Sequence, residues 1–223
     1  MPSPSIEDYV KAIYKARLES SSDVSTQDLA DRVGVSAPAV SRMLKRLAAL
    51  NLAEHTPYAG VRLTEAGEKV AIEIVRHHRL LERYLVEALG YSWDTVHDEA
   101  EKLEHHISEE FEARIDALLG YPTTCPHGDP IPSRDGSVAM ISDHALSQHS
   151  VPEHLTIQRV SDRDAGLLRH LKSLGLLPGT AIRFLEQEPF GGAYIVQIGD
   201  RLIRIAPMAA QHIFVSAATK SEP

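Results

Sequence analysis

The sequence predicts a mainly α-helical protein with a small β domain at its C-terminal end. The expected order is an N-terminal winged helix-turn-helix, a helical region, and a small β-barrel. Three observations predict it. Apolar residues recur at helical spacing through the first half of the 223-residue chain. A glycine-centred turn joins two short helices that lead into a hairpin. Beyond residue 152, short stretches alternate apolar and polar residues, the pattern of half-buried strands. An apolar content of 43% is ordinary for a chain that buries a core.

The first helix is expected over 6–18, where Ile6, Tyr9, Val10, Ile13 and Tyr14 share a face and Ser5 precedes them as a cap. The segment SSSDVS ends it. Helices over 26–33 and 37–50 follow, joined across Gly34 and Val35, then strands over 52–55 and 61–63 around the turn Pro57-Tyr58-Ala59-Gly60. Thr64 caps a helix expected to run to about Leu80, with another reaching Leu89 before Gly90 breaks the pattern. A long helix is expected next. It places Val96, Ala100, Leu103, Ile107, Phe111, Ile115 and Leu118 on one stripe, wide enough for a core or a subunit interface. A shift to Pro, Gly, Ser and His after Gly120 reads as a linker. Strands are expected over 155–157, 181–184, 193–196, 202–205 and 212–215. The expected domains are residues 1–63, 64–132 and 153–223, with 133–152 linking the last two.

Within the helix-turn-helix, Leu29, Ala30 and Val33 face inward from one helix and Val40, Leu44 and Leu47 from the other. Ser36 is positioned to cap the second helix, and Pro38 suits its first turn. Ala37, Pro38, Ser41, Arg42 and Lys45 are left outward, on the face a reading helix offers to the major groove. Tyr58 and Arg62 of the wing would lie near phosphate or the minor groove. The net charge of −8 opposes nucleic-acid binding until it is mapped. Residues 36–50 carry Arg42, Lys45 and Arg46 and no acid, whereas residues 64–120 carry fourteen acids against six Lys and Arg, with five histidines. Segregation of this kind allows a DNA-facing part and a cation-attracting part.

The acidic helices carry metal-ligand spacing. His78 and Glu82 lie four apart. His97, Glu101, Glu104 and His105 follow at steps that put them on one helical side. Oxygen and imidazole donors converging in this way suit a divalent cation. Asp8 on the first helix is positioned to join them, and Cys125-Pro126-His127 adds a thiol and an imidazole two residues apart. Without metal, such clustered carboxylates are expected to repel and leave the first helix loosely placed.

The runs SIEDYVKAIY, STQDLADRVGVSAPAVSRMLKRL, RHHRLLERYL, VHDEAEKLEHHISEE and HGDPIP resemble motifs of the diphtheria toxin repressor family of iron- and manganese-dependent regulators. The likeness covers nearly the whole chain, and the segment around LLRHLKSLGLLPGT resembles the FeoA-type, SH3-like domain of longer members. The resemblance implies a homodimeric repressor of metal-uptake genes that binds palindromic operator DNA through the major groove. It implies a primary site at Asp8, Glu101, Glu104 and His105. The iron-responsive branch has methionine and cysteine at the positions of Asp8 and Glu101, so this harder set resembles the manganese branch and implies Mn²⁺, with Fe²⁺ as the alternative. Lys11 stands where short manganese regulators have a glutamate, a departure from a binuclear primary site. A second site is implied twice over. His78, Glu82 and His97 match the family's ancillary ligands, and Glu82, Cys125, His127 and Asp162 match the longer streptococcal-type regulators, with Asp164 as a substitute for Asp162.

Two other classes use some of these features. A helical di-iron enzyme wants paired Glu-x-x-His motifs, whereas Glu101-Lys-Leu-Glu104 ends in glutamate. A regulator answering an organic ligand would leave the carboxylates merely solvated. The single cysteine excludes an internal disulfide. The chain has no apolar run of bilayer length, and MPSPSIED lacks a basic region leading into an apolar stretch. A cytoplasmic location away from membranes is therefore expected.

Overall fold

A computed structural model describes residues 3–19, 23–56 and 60–218. Tyr58 and the rest of the wing tip before Gly60 lie outside these. The chain divides into two compact units, the first comprising residues 1–78, 102–112 and 132–138, the second 79–101, 113–131 and 139–223.

In the first unit, α1 (Pro4–Glu19), α2 (Thr26–Val33) and α3 (Ala37–Ala49) surround one apolar centre. Val10, Ile13, Leu29, Val40, Leu44 and Leu47 are fully buried there, with Ile6 and Tyr9 beside them. Each such side chain stabilises by about 1.5–3 kcal/mol on burial. Ser25 caps α2 through the Asp28 amide, and Gly34 closes it in the left-handed region at φ 71°, as the helix-turn-helix reading requires. Ser36 sits at the cap position of α3, yet its hydroxyl makes no cap hydrogen bond. Strands β1 (Ala53–Thr56) and β2 (Gly60–Leu63) pair antiparallel, and Val24 bridges to Val61.

Helix α4 (Glu65–Leu89) is one 25-residue helix rather than the expected two. Its residues to His78 belong to the first unit and the remainder to the second. The expected long helix over 96–118 is instead α5 (Val96–Leu103) and α6 (Glu109–Leu118). Ser108 explains the break. Its hydroxyl accepts from the Phe111 amide, and three acids, Glu109, Glu110 and Glu112, crowd the first turn that follows. The anticipated stripe is consequently split, and Phe111 and Leu118 are exposed.

The second unit holds a six-stranded antiparallel sheet in the order β3-β8-β4-β5-β6-β7. Its strands are β3 (His144–Ala145), β4 (Glu153–Val160), β5 (Ala181–Gln187), β6 (Tyr194–Ile198), β7 (Arg201–Ile205) and β8 (Ile213–Ala217). Leu155, Ile157, Phe184, Val196, Ile205 and Val215 alternate inward, and α7 (Ala165–Leu174) adds Leu168 and Leu171 to the same core. The short α8 (Pro207–Ala210) precedes β8. Among the described residues, no helix is long and apolar enough to cross a membrane.

Candidate metal centres and reading face

In the first unit, α1 and the turn at Glu104–His105 build a cluster. Both ring nitrogens of His105 face carboxylates: Nδ1 lies 2.7 Å from Glu7 Oε2 and Nε2 2.8 Å from Asp8 Oδ1. Glu104 is fully buried. Lys11 Nζ donates to both of its oxygens, at 2.8 and 2.7 Å, and His78 Nδ1 lies 2.6 Å from Oε2. Asp8, Glu104 and His105 each offer a ligand atom within 4.8 Å of the others, so three of the expected primary residues converge. The acids are not left to repel one another. Lys11 answers the charge of Glu104, His105 lies within hydrogen-bond distance of Glu7 and Asp8, and in this arrangement α1 is already tied down. The sequence reading missed Glu7 and gave Lys11 no place inside the cluster. The signal was present in α1, whose heptad-like spacing puts Glu7 and Lys11 one turn apart on the buried side.

Behind this cluster, Arg76 and His77 converge on Glu112, at 2.5 and 3.1 Å, and His77 Nδ1 meets the Glu104 carbonyl oxygen at 3.1 Å. Burial pushes His77 down, but the Glu112 hydrogen bond and charge outweigh it and hold the imidazole above its ordinary value. Burial likewise pushes Glu112 up, and His77 and Arg76 together bring it below the usual carboxylate range.

In the second unit, Glu82, Cys125 and His127 are buried and bring ligand atoms within 4.8 Å of one another. The loop carrying Cys125 and His127 is clamped by backbone bonds. Gly128 donates to the Cys125 carbonyl, Cys125 to the Asp129 carbonyl, and the His127 carbonyl accepts from Val160 on β4. Gly128 has φ 93°, and a Cβ there would lie 2.1 Å from the Gln158 carbonyl oxygen, so no other residue fits. Trp93 Nε1 donates to the Pro126 carbonyl. The Trp93 carbonyl in turn faces His127 Nε2 at 2.9 Å, and since a carbonyl only accepts, Nε2 carries the proton. That leaves His127 Nδ1 aimed at Glu82 Oε2, 3.5 Å away, buried and without a hydrogen bond.

A buried imidazole nitrogen facing a carboxylate and a thiol is costly unless a further group joins them. The donor set fits a divalent cation. Burial, with the Glu82 charge, pushes the Cys125 thiol up to about 11. Burial opposes protonation of His127, yet Cys125 and Glu82 turn its net shift upward. His97 extends the cluster: its Nδ1 lies 3.2 Å from Glu82 and 3.4 Å from Asp162, and its Nε2 3.5 Å from Glu101. Glu101 meets His97 within this unit. Within the first unit, His78 Nδ1 meets Glu104 Oε2 at 2.6 Å. Asp164, the substitute for Asp162, is occupied as the cap of α7, accepting from the amides of Gly166 and Leu167.

On α3, Pro38, Ser41, Arg42 and Lys45 are exposed, and so is Ser36 before it. Ala37 is half-buried against the core rather than turned outward. Arg62 is exposed but engaged, donating to Glu54 across the wing at 2.8 and 2.6 Å. A phosphate there would compete with Glu54.

Residues 1–61 match the family described as "Iron dependent repressor, N-terminal DNA binding domain". Residues 64–133 match "Iron dependent repressor, metal binding and dimerisation domain", and residues 144–217 match "FeoA domain". The iron-dependent repressor IdeR of Mycobacterium tuberculosis is 30% identical over 214 residues, covering 89% of this chain and 91% of that protein. This chain belongs to the iron-dependent repressor family. It is a metal-dependent, DNA-binding transcriptional repressor built from a reading unit, metal-ligand helices and an FeoA, SH3-like domain. The transcriptional regulator MntR of Salmonella typhimurium is 41% identical to the repressor over 123 residues, covering 55% of this chain and 74% of that protein. A solved manganese-dependent transcriptional repressor in complex with manganese has the repressor's fold, with a TM-score of 0.90 and 41% identity over 96% of this chain and all of that one.

Proposed function

We propose that this repressor senses Mn²⁺, with Fe²⁺ as the second candidate, and as a homodimer represses metal-uptake genes in the cytoplasm when the ion is plentiful. The observation that supports Mn²⁺ most directly is the convergence of Asp8, Glu104 and His105. Two carboxylates and an imidazole make a harder donor set than one containing a thiolate or thioether, and hard sets suit manganese. Glu101, one helical turn before His105 in the sequence, is the further ligand proposed for this ion. With Lys11 already on both oxygens of Glu104, this set holds one ion rather than two. Glu82, Cys125, His127 and Asp162, with His97 beside them, form the proposed second site. Its buried thiol is the feature that keeps Fe²⁺ in contention.

The bound ion supplies a positive charge that several carboxylates share. Asp8 belongs to α1, which packs on α2 and β2 and shares its apolar core with α3, whereas Glu104 and His105 belong to the segment that follows α5. Their joint grip holds the reading unit at one orientation, which in the dimer sets the separation of the two α3 helices. Matched separation lets both enter successive major grooves of a palindromic operator. Ser36, Pro38, Ser41, Arg42 and Lys45 would then meet DNA, with Ala37, Tyr58 and Arg62 flanking. Metal and DNA must strengthen each other's binding by the same factor.

The test is titration of operator DNA with the repressor at fixed salt, with Mn²⁺ and with chelator. Tighter binding with Mn²⁺, lost in Asp8→Ala without loss of fold, is expected. Equal affinity in both conditions overturns the reading.

A further inference from the structure

Two neighbouring acids of α1 meet the same imidazole from opposite sides, yet their surroundings differ. The Asp8 side chain is 44% exposed, as suits a ligand that a hydrated ion must reach. The Glu7 side chain is 6% exposed. A buried carboxylate is costly unless it is paired, and the partner given to Glu7 is His105 Nδ1, at 2.7 Å. A neutral imidazole has one lone-pair nitrogen and one N–H, so once one nitrogen gives its lone pair to an ion the proton must lie on the other, where it needs an acceptor. The nitrogen facing Asp8 and Glu104 is Nε2, at 2.8 and 3.5 Å.

We propose that Glu7 is a positioning residue for the metal site: it accepts the Nδ1 proton of His105, which fixes Nε2 as the donor aimed at the ion and locks the ring plane between α1 and Glu104. The inference rests on the reading that Asp8 and His105 hold the ion. The division of labour follows from geometry. Successive helical residues point about 100° apart, so one acid turns inward behind the ring while the next stays at the rim. The other cluster uses the same device with a different acceptor, since the Trp93 carbonyl holds His127 Nε2 and leaves Nδ1 aimed at Glu82 and Cys125. A carboxylate behind a ligating imidazole also strengthens it as a donor. Loss of such a partner typically weakens metal binding by about 10–100-fold.

The experiment uses the full-length chain and Mn²⁺ alone as the probe. Binding is followed by calorimetry and by the signal of free Mn²⁺, and the His105 ring nitrogens by NMR on metal-free protein. Glu7→Leu is expected to lose affinity at the Asp8 cluster by about 10-fold or more. Glu7→Gln, which keeps an acceptor oxygen without charge, should fall between it and the wild type. Affinity at the Cys125 cluster should stay unchanged. With the competing Nε2 acceptor removed by Asp8→Ala, the neutral ring of His105 should carry its proton on Nδ1, and on a mixture of both nitrogens once Glu7→Leu is added. Wild-type affinity in Glu7→Leu, alongside loss in Asp8→Asn, overturns the role of Glu7 and leaves the site intact. Wild-type affinity in Asp8→Asn as well overturns the site itself. Equal losses at both clusters, with an unchanged His105 tautomer, reduce Glu7 to a folding residue and also overturn the proposal.

Discussion

Lys11 Nζ donates to both carboxylate oxygens of Glu104, at 2.8 and 2.7 Å, with 4% of the lysine and none of the glutamate exposed. A tethered cation therefore sits where a divalent ion would draw on the same oxygens. It stabilises the metal-free arrangement and competes with metal for Glu104.

Lys11→Met separates those two effects. Removing one partner of a buried ion pair costs about 3 kcal/mol, because the other charge is left behind. The metal-free variant should unfold at lower denaturant, while its Mn²⁺ affinity at the Asp8 cluster rises. Denaturant unfolding with chelator and Mn²⁺ calorimetry check both. Unchanged stability together with unchanged affinity would make the contact inert.

Metal uptake at the Glu82–Cys125–His127 cluster should release protons. The Cys125 thiol is held near 11, so it is protonated at neutral pH, and a thiolate is needed to bind an ion. Affinity there should rise by at least about tenfold per pH unit between roughly pH 6 and 8, and Cys125→Ser should reduce that slope, leaving the share set by His127, which is also shifted upward. Calorimetry in buffers of different ionisation enthalpy measures the protons released per ion.

Gly128→Ala should dismantle this same cluster. A Cβ 2.1 Å from the Gln158 carbonyl oxygen forces the Cys125–His127 loop off β4, and the positive φ adds strain. The expected result is at least a tenfold loss of affinity at this site with the Asp8 cluster unaffected, read by metal titration.

The Arg76–His77–Glu112 triad should make stability depend on pH. His77 is raised above its ordinary 6.5, so its contribution is complete below about pH 6.5 and fades as pH rises through the folded value. Glu112 is lowered below its ordinary 4.5, so its contribution is complete above about pH 4.5 and fades as pH falls through the folded value. The triad is therefore strongest between those limits. Glu112→Gln should cost about 3 kcal/mol there and less near pH 8, measured by denaturant unfolding of chelator-treated protein.

Local pattern carried much of this repressor. The Gly34 turn, the inward faces of α2 and α3, the alternating strands and the ligand spacing on α4 and α5 are all set by residues a few positions apart. Helical and strand periods are properties of the backbone, so they can be read before any packing is known. The split between α5 and α6 was also local, in Ser108 and the acids after it, but apolar periodicity running through the break concealed it.

Convergence was a different matter. That Glu7 and Asp8 both grip His105, that Lys11 fills the space beside Glu104, and that the Trp93 carbonyl holds His127 depend on segments up to 98 residues apart. Spacing ranks the acids and imidazoles of one helix, but burial and the nearest opposite charge decide which of them pair, and those arise only when separate helices pack. The sequence alone thus determined the fold class, the reading helix and the pool of ligand-type residues. The tertiary structure decided which members of that pool share a site, because charge pairing falls off over a few ångströms and only packing brings distant residues that close.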